Sequence, residues 1–448
     1  MTHADETTAP AVTDRRKGVR AAVAGAAGTA LEWYDYGLFG TATALYLAPL
    51  FFSGADPVFA LMASFATFAV GFIARPFGGI ILGHFGDRFG RKSILIFTIL
   101  LSGIATFLSG CLPTNAQVGV WAPVLLVVLR LIQGFGAGAE LAGAMTYVNE
   151  SAEPRNRGFL TSFASASSVI GLLMGTGTYA ILNAVMTQEA MLAGGWRIPF
   201  LASAVLVIIT IVLRSRIEDS TEFTAEKEAE RQDAVKPTAP IITILRTRKL
   251  AVLSAFLALT TLSFGGYVIF TYSLSYLTNT LGMPAQISLL STLIGGVIAV
   301  AACIFFGWLS DRVGYAPLII GGAIGSALFA FPFFLLVNTQ VPALVILAIA
   351  VGYSLCWGMA SGAQGLFLPA LFETRYRFSG VAISRELSSA LVGGPAPLVA
   401  TALVAALNGA PWLVAGALVV AGAISIVGVV LGRREAGKVS RIEMVGAG

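Results

Sequence analysis

The sequence predicts an all-α membrane protein of twelve transmembrane helices in two six-helix halves, with both termini cytoplasmic. Three observations carry that prediction. Hydrophobic residues make up 56% of the 448 residues and charged residues only 11%, and the mean hydropathy is +0.84. A soluble domain carries about 25% charge, so most of this chain is built for lipid. Charge-free runs at 250–310, 313–372 and 387–432 each far exceed the ~20 residues that cross a bilayer once, so each holds two crossings. A ten-residue pattern in the first half recurs 224 residues later, which implies a duplicated unit.

The elements follow in order. Residues 1–20, with Arg15-Arg16-Lys17, read as a retained cytoplasmic tail. The apolar stretch after them is too long for a removable leader, and no small-residue cleavage site bounds it. The amino-terminal half, 21–216, breaks at Ser53–Pro57, Asp87–Lys92, Pro113–Gln117, Glu150–Arg157 and Glu189–Arg197. Its six helices are expected to begin near Ala21, Pro57, Ser93, Val120, Gly158 and Trp196. Residues 217–249 are rich in Glu, Lys, Arg and Asp and read as a solvated cytoplasmic linker. The carboxy-terminal half, 250–432, breaks at Thr278–Pro284, Asn338–Pro342 and Asn408–Pro411, giving six more helices. Residues 433–448 form a second cytoplasmic tail. Lys and Arg set the orientation: the tails and even-numbered loops hold 24 of the 28, the odd-numbered loops only Arg197.

The net charge of +5 and the pI near 9.2 reflect this topology code rather than a nucleic-acid groove. Cys111, Cys303 and Cys356 lie in or beside apolar stretches and imply no disulfide framework. His3 and His84 lie outside the apolar runs, so neither a metal site nor a haem is expected, and no cofactor. No nucleophile–base pair or nucleotide loop occurs in the cytosolic segments, which argues against an enzyme. The string Gly134-Phe135-Gly136-Ala137-Gly138 has no strand before it and reads as helix packing, as do Gly171, Gly175, Gly295 and Gly296.

The repeated pattern is Gly83-His84-Phe85-Gly86-Asp87-Arg88-Phe89-Gly90-Arg91-Lys92, returning as Gly307-Trp308-Leu309-Ser310-Asp311-Arg312-Val313-Gly314-Tyr315. Glu150 is echoed by Glu373 at an offset of 223. The first copy resembles the signature loop of the major facilitator superfamily, and Arg130-Leu131-Ile132-Gln133-Gly134 resembles its second motif. Leu31-Glu32-Trp33-Tyr34-Asp35-Tyr36-Gly37, Arg75-Pro76-Phe77-Gly78 and the string from Gln133 through Gly138 to Glu140 are similar to the metabolite:proton symporter family. That family takes up ketoglutarate, shikimate, citrate, other carboxylates and betaines. The second signature copy departs from the pattern at Tyr315-Ala316, and the fourth span departs at Ala139-Glu140-Leu141-Ala142-Gly143. The resemblance gives Gly83, Asp87, Arg88, Gly90 and Arg91, with Asp311 and Arg312 in the second copy, a gating role: the loop ties neighbouring helix ends together. Asp87 is also expected to complement the positive end of the eleventh helix, near Phe378.

Ionisable groups inside lipid are costly and by default face a cavity or one another. Here they are Glu32, Asp35, Arg75, Arg130, Glu140, Arg385 and Glu386. Glu32 and Asp35 are three apart, on one face of their helix. Glu32 lies twelve residues past Arg20 and Arg75 twelve before Asp87, so both sit roughly 18 Å deep at about 1.5 Å per residue. Asp35, with Glu32 and Arg130 near it, and Glu140 are the expected proton carriers. Arg75, with Arg130 or Arg385 as a second anchor, is the expected carboxylate binder, since a guanidinium offers a planar fork. The bland alternative has Arg75 only neutralising Glu32. Arg385 and Glu386 point about 100° apart and should serve different partners. Tyr272, Tyr276, Trp357 and Gln364 are candidates for further substrate contacts. The expectation is a monomeric, proton-coupled importer of a small organic acid in the bacterial cytoplasmic membrane. A carrier of betaine or proline, or an exporter of amphipathic compounds, is the alternative.

Overall fold

The computed structural model describes residues 29–30, 32–89, 91–136, 145–146, 148–149, 152–215 and 240–446. Side chains at 80, 83–95, 154, 210–215, 240–242, 375 and 442–446 are outside the description. The first half comprises α1 (29–51), α2 (Pro57–Phe89), α3 (Arg91–Cys111), α4 (Trp121–Gly136), α5 (Arg157–Val185) and α6 (Ile198–Ser215). The second comprises α7 (Lys249–Thr280), α8 (Ala285–Val313), α9 (Tyr315–Asn338), α10 (Pro342–Ala370), α11 (Arg377–Ala406) and α12 (Trp412–Gly446). No strand occurs among the described residues. Eight of these helices are individually long and apolar enough to cross a membrane, and α3, α4 and α6 contain shorter apolar stretches.

The boundaries fall where local chemistry puts them. Asp56 Oδ1 accepts the first free N–H groups of α2, from Val58 at 2.9 Å and Phe59 at 3.1 Å. Pro342 opens α10 at a position where its missing N–H costs nothing. Gly314, at φ 82°, turns the chain between α8 and α9 in a conformation closed to most side chains. The linker ends in a short helix, Pro240–Thr247, packed against α7 and α11; 217–239 lie outside the described residues.

Close packing is written in glycine, as expected. A Cβ on Gly37 would strike the Leu172 backbone, and one on Gly175 the backbone of Tyr34 and Leu38, so α1 and α5 meet main chain to main chain. Gly134 meets Gly71 between α4 and α2, and Gly296 meets Leu173 between α8 and α5. The halves touch along two long seams, α5 against α8 and α2 against α11. Large apolar side chains such as Phe59, Phe77, Ile181 and Leu328 face outward, as a lipid-facing surface requires. Widened π-helical turns interrupt α1 (Thr43–Leu47), α7 (Thr261–Gly265, Val268–Tyr272, Tyr276–Thr280), α10 (Ser354–Gly358) and α11 (Ser389–Gly393).

Candidate substrate and proton site

Helix α1 brings Glu32, Trp33, Asp35 and Tyr36 inward one turn at a time. Glu32 Oε1 lies 3.3 Å from Arg75 Nη2 on α2. Arg75 also reaches across the halves to Glu386 on α11, Nε donating to Oε2 at 2.9 Å and Nη2 to Oε1 at 3.3 Å. One guanidinium therefore holds two carboxylates, one from each half. The contact with Glu32 is the one the alternative reading of Arg75 calls for; the forked grip on Glu386 belongs to neither reading. Glu386 is 311 residues away, and nothing in local sequence reports that α11 faces α2.

Asp35 takes a different partner. Thr106 Oγ1 on α3 donates to its Oδ2 at 2.9 Å. Gln133 Nε2 donates to Thr106 Oγ1 at 2.8 Å, and Gln133 Oε1 accepts from Arg130 Nη1. Arg130, expected near Asp35, connects to it through a relay, Arg130–Gln133–Thr106–Asp35. The physical reason is local: Gln133 lies one turn along α4 from Arg130 and meets its guanidinium first. Glu32 and Asp35 share a face but differ by about 60° in direction, enough to serve α2 and α3 separately. Asp35 forms no ion pair among the described residues.

Arg130 is fully buried. Its Cζ stands 4.0 Å from the ring centre of Phe39, 5.2 Å from Tyr36 and 5.4 Å from Phe68. Its Nε and Nη2 have no hydrogen-bond partner, and it forms no ion pair among the described residues. Arg75 Cζ is 4.9 Å from the same Tyr36 ring and near Trp33 and Phe72. The two guanidiniums thus flank one aromatic ring, within about 10 Å of each other by the sum of those distances. Arg75 Nη1, Tyr36 Oη, Tyr267 Oη and Trp33 Nε1 are likewise buried without a partner. A buried cation with unmet donors suits an anion, and the aromatic faces around it suit a cation.

The remaining candidates disperse. Arg385 donates to Gln364 Oε1, while Gln364 Nε2 donates to Ser165 Oγ on α5 at 3.1 Å. Arg385 and Glu386 do serve different partners. Trp357 stacks on Tyr353 with ring centres 5.3 Å apart. Tyr272 and Tyr276 share a face, rings 6.1 Å apart. Tyr276 donates to Asn338 Oδ1 at 2.9 Å, a bond within the second half. A small cavity between the halves is lined by Thr41, Thr176, Thr271 and Thr292 among others. Asp311 accepts from the backbone N–H of Gly158 at 2.6 Å and of Phe159 at 2.9 Å, at the start of α5. Arg312 instead lies over the Trp308 ring. Glu140 and Gly90, and the side chains of Asp87, Arg88 and Arg91, lie outside the described residues, while Gly83 falls within α2. Sequence reading passed over Thr106, Gln133, Tyr36 and Tyr267 as site residues. Gln133, three after a buried arginine, could have been found; a single threonine in an apolar helix gives no signal.

Comparison with known proteins agrees with this architecture. The family model described as Major Facilitator Superfamily matches residues 25–394. The shikimate transporter of Escherichia coli (strain K12) is 36% identical over 405 residues, covering 89% of this chain and 92% of its own. The glycine betaine/proline/ectoine/pipecolic acid transporter OusA of Dickeya dadantii (strain 3937) is 33% identical over 86% of this chain and 77% of its own. The proton:xylose symporter XylE bound to 6-bromo-6-deoxy-D-glucose has the same fold at 20% identity, with a TM-score of 0.69 over 94% of this chain and 96% of that one. A partially occluded inward-open form of the xylose transporter XylE from E. coli gives 0.71 at 17% identity, over 93% and 98%.

Proposed function

This chain belongs to the Major Facilitator Superfamily, and from that premise we propose that it is a proton-coupled symporter importing a small organic acid by alternating access. One observation carries the carboxylate: Arg130 is fully buried, its Nε and Nη2 have no hydrogen-bond partner, and it forms no ion pair among the described residues. A buried charge without a contact partner costs several kcal/mol, on the order of 3–5 where a buried pair is broken. A substrate carboxylate would supply the missing partner, with Arg75 Nη1 and the Tyr36 hydroxyl as further donors nearby. Arg75 and Arg130 together suit a diacid, with Arg385 further along α11.

The proton reading rests on charge arithmetic. The spans hold four carboxylates (Glu32, Asp35, Glu140, Glu386) and three arginines (Arg75, Arg130, Arg385). The acids exceed the arginines by one, an excess negative charge that a desolvated acid relieves by carrying a proton. Asp35, bonded to a hydroxyl and in no ion pair among the described residues, fits that role best. Glu140 is the next candidate. The relay through Thr106 and Gln133 gives Asp35 a route to sense what Arg130 binds.

A second reading, a carrier of betaine or proline, is favoured by the aromatic surround of Trp33, Tyr36 and Phe72, which already holds a guanidinium and would equally face an ammonium group. The two readings share a carboxylate and differ in one positive charge. Proteoliposomes offered labelled shikimate, other carboxylates, proline and glycine betaine, with and without an inside-alkaline gradient, separate them. Gradient-driven accumulation of a carboxylate is expected. Accumulation of betaine with no carboxylate transported would replace the first reading by the second.

A further inference from the structure

We propose, building on the carboxylate reading above, that Glu386 is a second proton-bearing residue: a substrate carboxylate displaces it from Arg75, and the freed side chain takes up a proton. The geometry is a competition. Arg75 already holds Glu386 by two prongs, Nε at 2.9 Å and Nη2 at 3.3 Å, and shares Nη2 with Glu32 at 3.3 Å. Its Nη1 has no hydrogen-bond partner among the described residues. A carboxylate arriving at Nη1 makes three acids around one buried guanidinium. Like charges so close cannot all stay ionised.

Glu386 is the acid placed to yield. Glu32 stands in the same half as Arg75, whereas Glu386 reaches over from the other half and is pulled away by any separation of α2 from α11. Its sequence neighbour Arg385 is turned to Gln364 and does not replace Arg75 as its partner. The charged and titratable groups around Glu386 are Arg75 from α2, Glu32 and Tyr36 from α1, Tyr267 from α7 and Arg385 on its own helix. Tyr267 lies one turn from Ser263, whose hydroxyl is 2.7 Å from that of Ser388 on α11. The Tyr267 hydroxyl is buried without a hydrogen-bond partner among the described residues. Tyr267 is close enough to Glu386 to interact with it electrostatically, and a phenolic oxygen can accept the O–H of a neutral glutamic acid, which is what the displaced side chain would need.

The exchange balances. One substrate anion and one proton enter; the Arg75–Glu386 ion pair becomes an Arg75–substrate ion pair plus Glu386 as COOH. The only bond formed is O–H, and net charge is unchanged. The pair that is lost also bridges the halves, so loading substrate loosens one seam of the molecule. Substrate and proton thereby bias the same equilibrium.

The test uses the full-length purified carrier in weakly buffered detergent, shikimate as the probe, and a pH-indicator dye to count protons taken up per shikimate bound. Wild type, Asp35→Asn and Glu386→Gln are compared. Glu386→Gln should take up one proton fewer per shikimate than wild type. Asp35→Asn should retain one proton per shikimate, with an infrared difference band for a newly protonated carboxyl. If Glu386→Gln does not fold, the Asp35→Asn arm decides alone: shikimate binding there without proton uptake overturns the proposal. Wild-type proton uptake in Glu386→Gln overturns it equally. A wild-type carrier that binds no shikimate or other carboxylate defeats the carboxylate reading first, and this inference with it.

Discussion

Two guanidiniums lie against the Tyr36 ring, but they are neutralised differently. Arg75 has Glu32 and Glu386; Arg130 has a glutamine and aromatic faces. Arg130→Lys keeps the charge and loses the planar fork, so apparent affinity for a carboxylate should fall about 10- to 100-fold, the worth of one or two charge-assisted hydrogen bonds. Binding titrations read this directly, and unaltered affinity would remove Arg130 from the substrate site. Asp35→Asn keeps the Thr106 contact in shape but cannot carry a proton. It should abolish pH-driven accumulation while leaving counterflow exchange, and accumulation that survives would pass the role to Glu140. The sequence alone made Glu32, Asp35, Arg75 and Arg130 visible, because any charge in an apolar span stands out. It did not make their pairing visible. Which acid meets which arginine depends on how helices 311 residues apart abut, and uncharged relay members such as Thr106 look like any other span residue.

At the scale of helices, the chain was legible because each ending has a local cause. Pro57, Gly314 and Pro342 mark breaks by chemistry that acts within one turn, and the structure places helix starts there or a few residues away. The π-helical turns of α1, α7, α10 and α11 were not legible. A widened turn inserts one residue without changing composition, and the tertiary setting decides whether it persists. Glycine packing is legible in kind but not in place: fifty glycines are present, and only contact tells which matter. Gly37 abuts the Leu172 backbone, whereas a Cβ on Gly177 of α5 would meet nothing within 4 Å. Gly37→Ala must therefore push main chain from main chain, at a cost of about 1–3 kcal/mol by analogy with overpacked cores. Gly177→Ala should be neutral or slightly stabilising, since alanine is the better helix former. Thermal unfolding followed by size-exclusion fluorescence distinguishes them; equal melting temperatures would mean that α1 and α5 do not meet as described.

On the scale of the whole molecule, the described residues of the two halves touch near both membrane faces. Toward the outside, Asn279 Nδ2 on α7 donates to the Ala44 carbonyl of α1 at 2.8 Å. Toward the cytoplasm, Asn149 Nδ2 donates to the Gly365 carbonyl at 2.8 Å, and Asp311 takes the Gly158 and Phe159 amides. Alternating access must break one set while keeping the other. The Asp311 contact is suited to act as a latch: a carboxylate at the N-terminus of a 29-residue helix satisfies amides that have no partner within that helix and complements its positive end. When the cytoplasmic side opens, those amides gain water and the carboxylate is rehydrated, so only the closed state depends on Asp311. Asp311→Ala should then shift the balance toward the cytoplasm-open state by about 1–3 kcal/mol, roughly 5- to 150-fold. Cys303 is a native reporter: it is fully buried in the α5–α8 seam, its Sγ 3.8 Å from the Ser162 carbonyl of the opposite half. In a carrier whose Cys111 and Cys356 are replaced by serine, maleimide should label Cys303 faster in Asp311→Ala than in the parent. Arg312→Ala is the control, because Arg312 stacks on Trp308 of its own helix and should leave the labelling rate where it was. If Asp311→Ala labels no faster than Arg312→Ala, the aspartate only trims a helix end and the latch lies elsewhere along the seam.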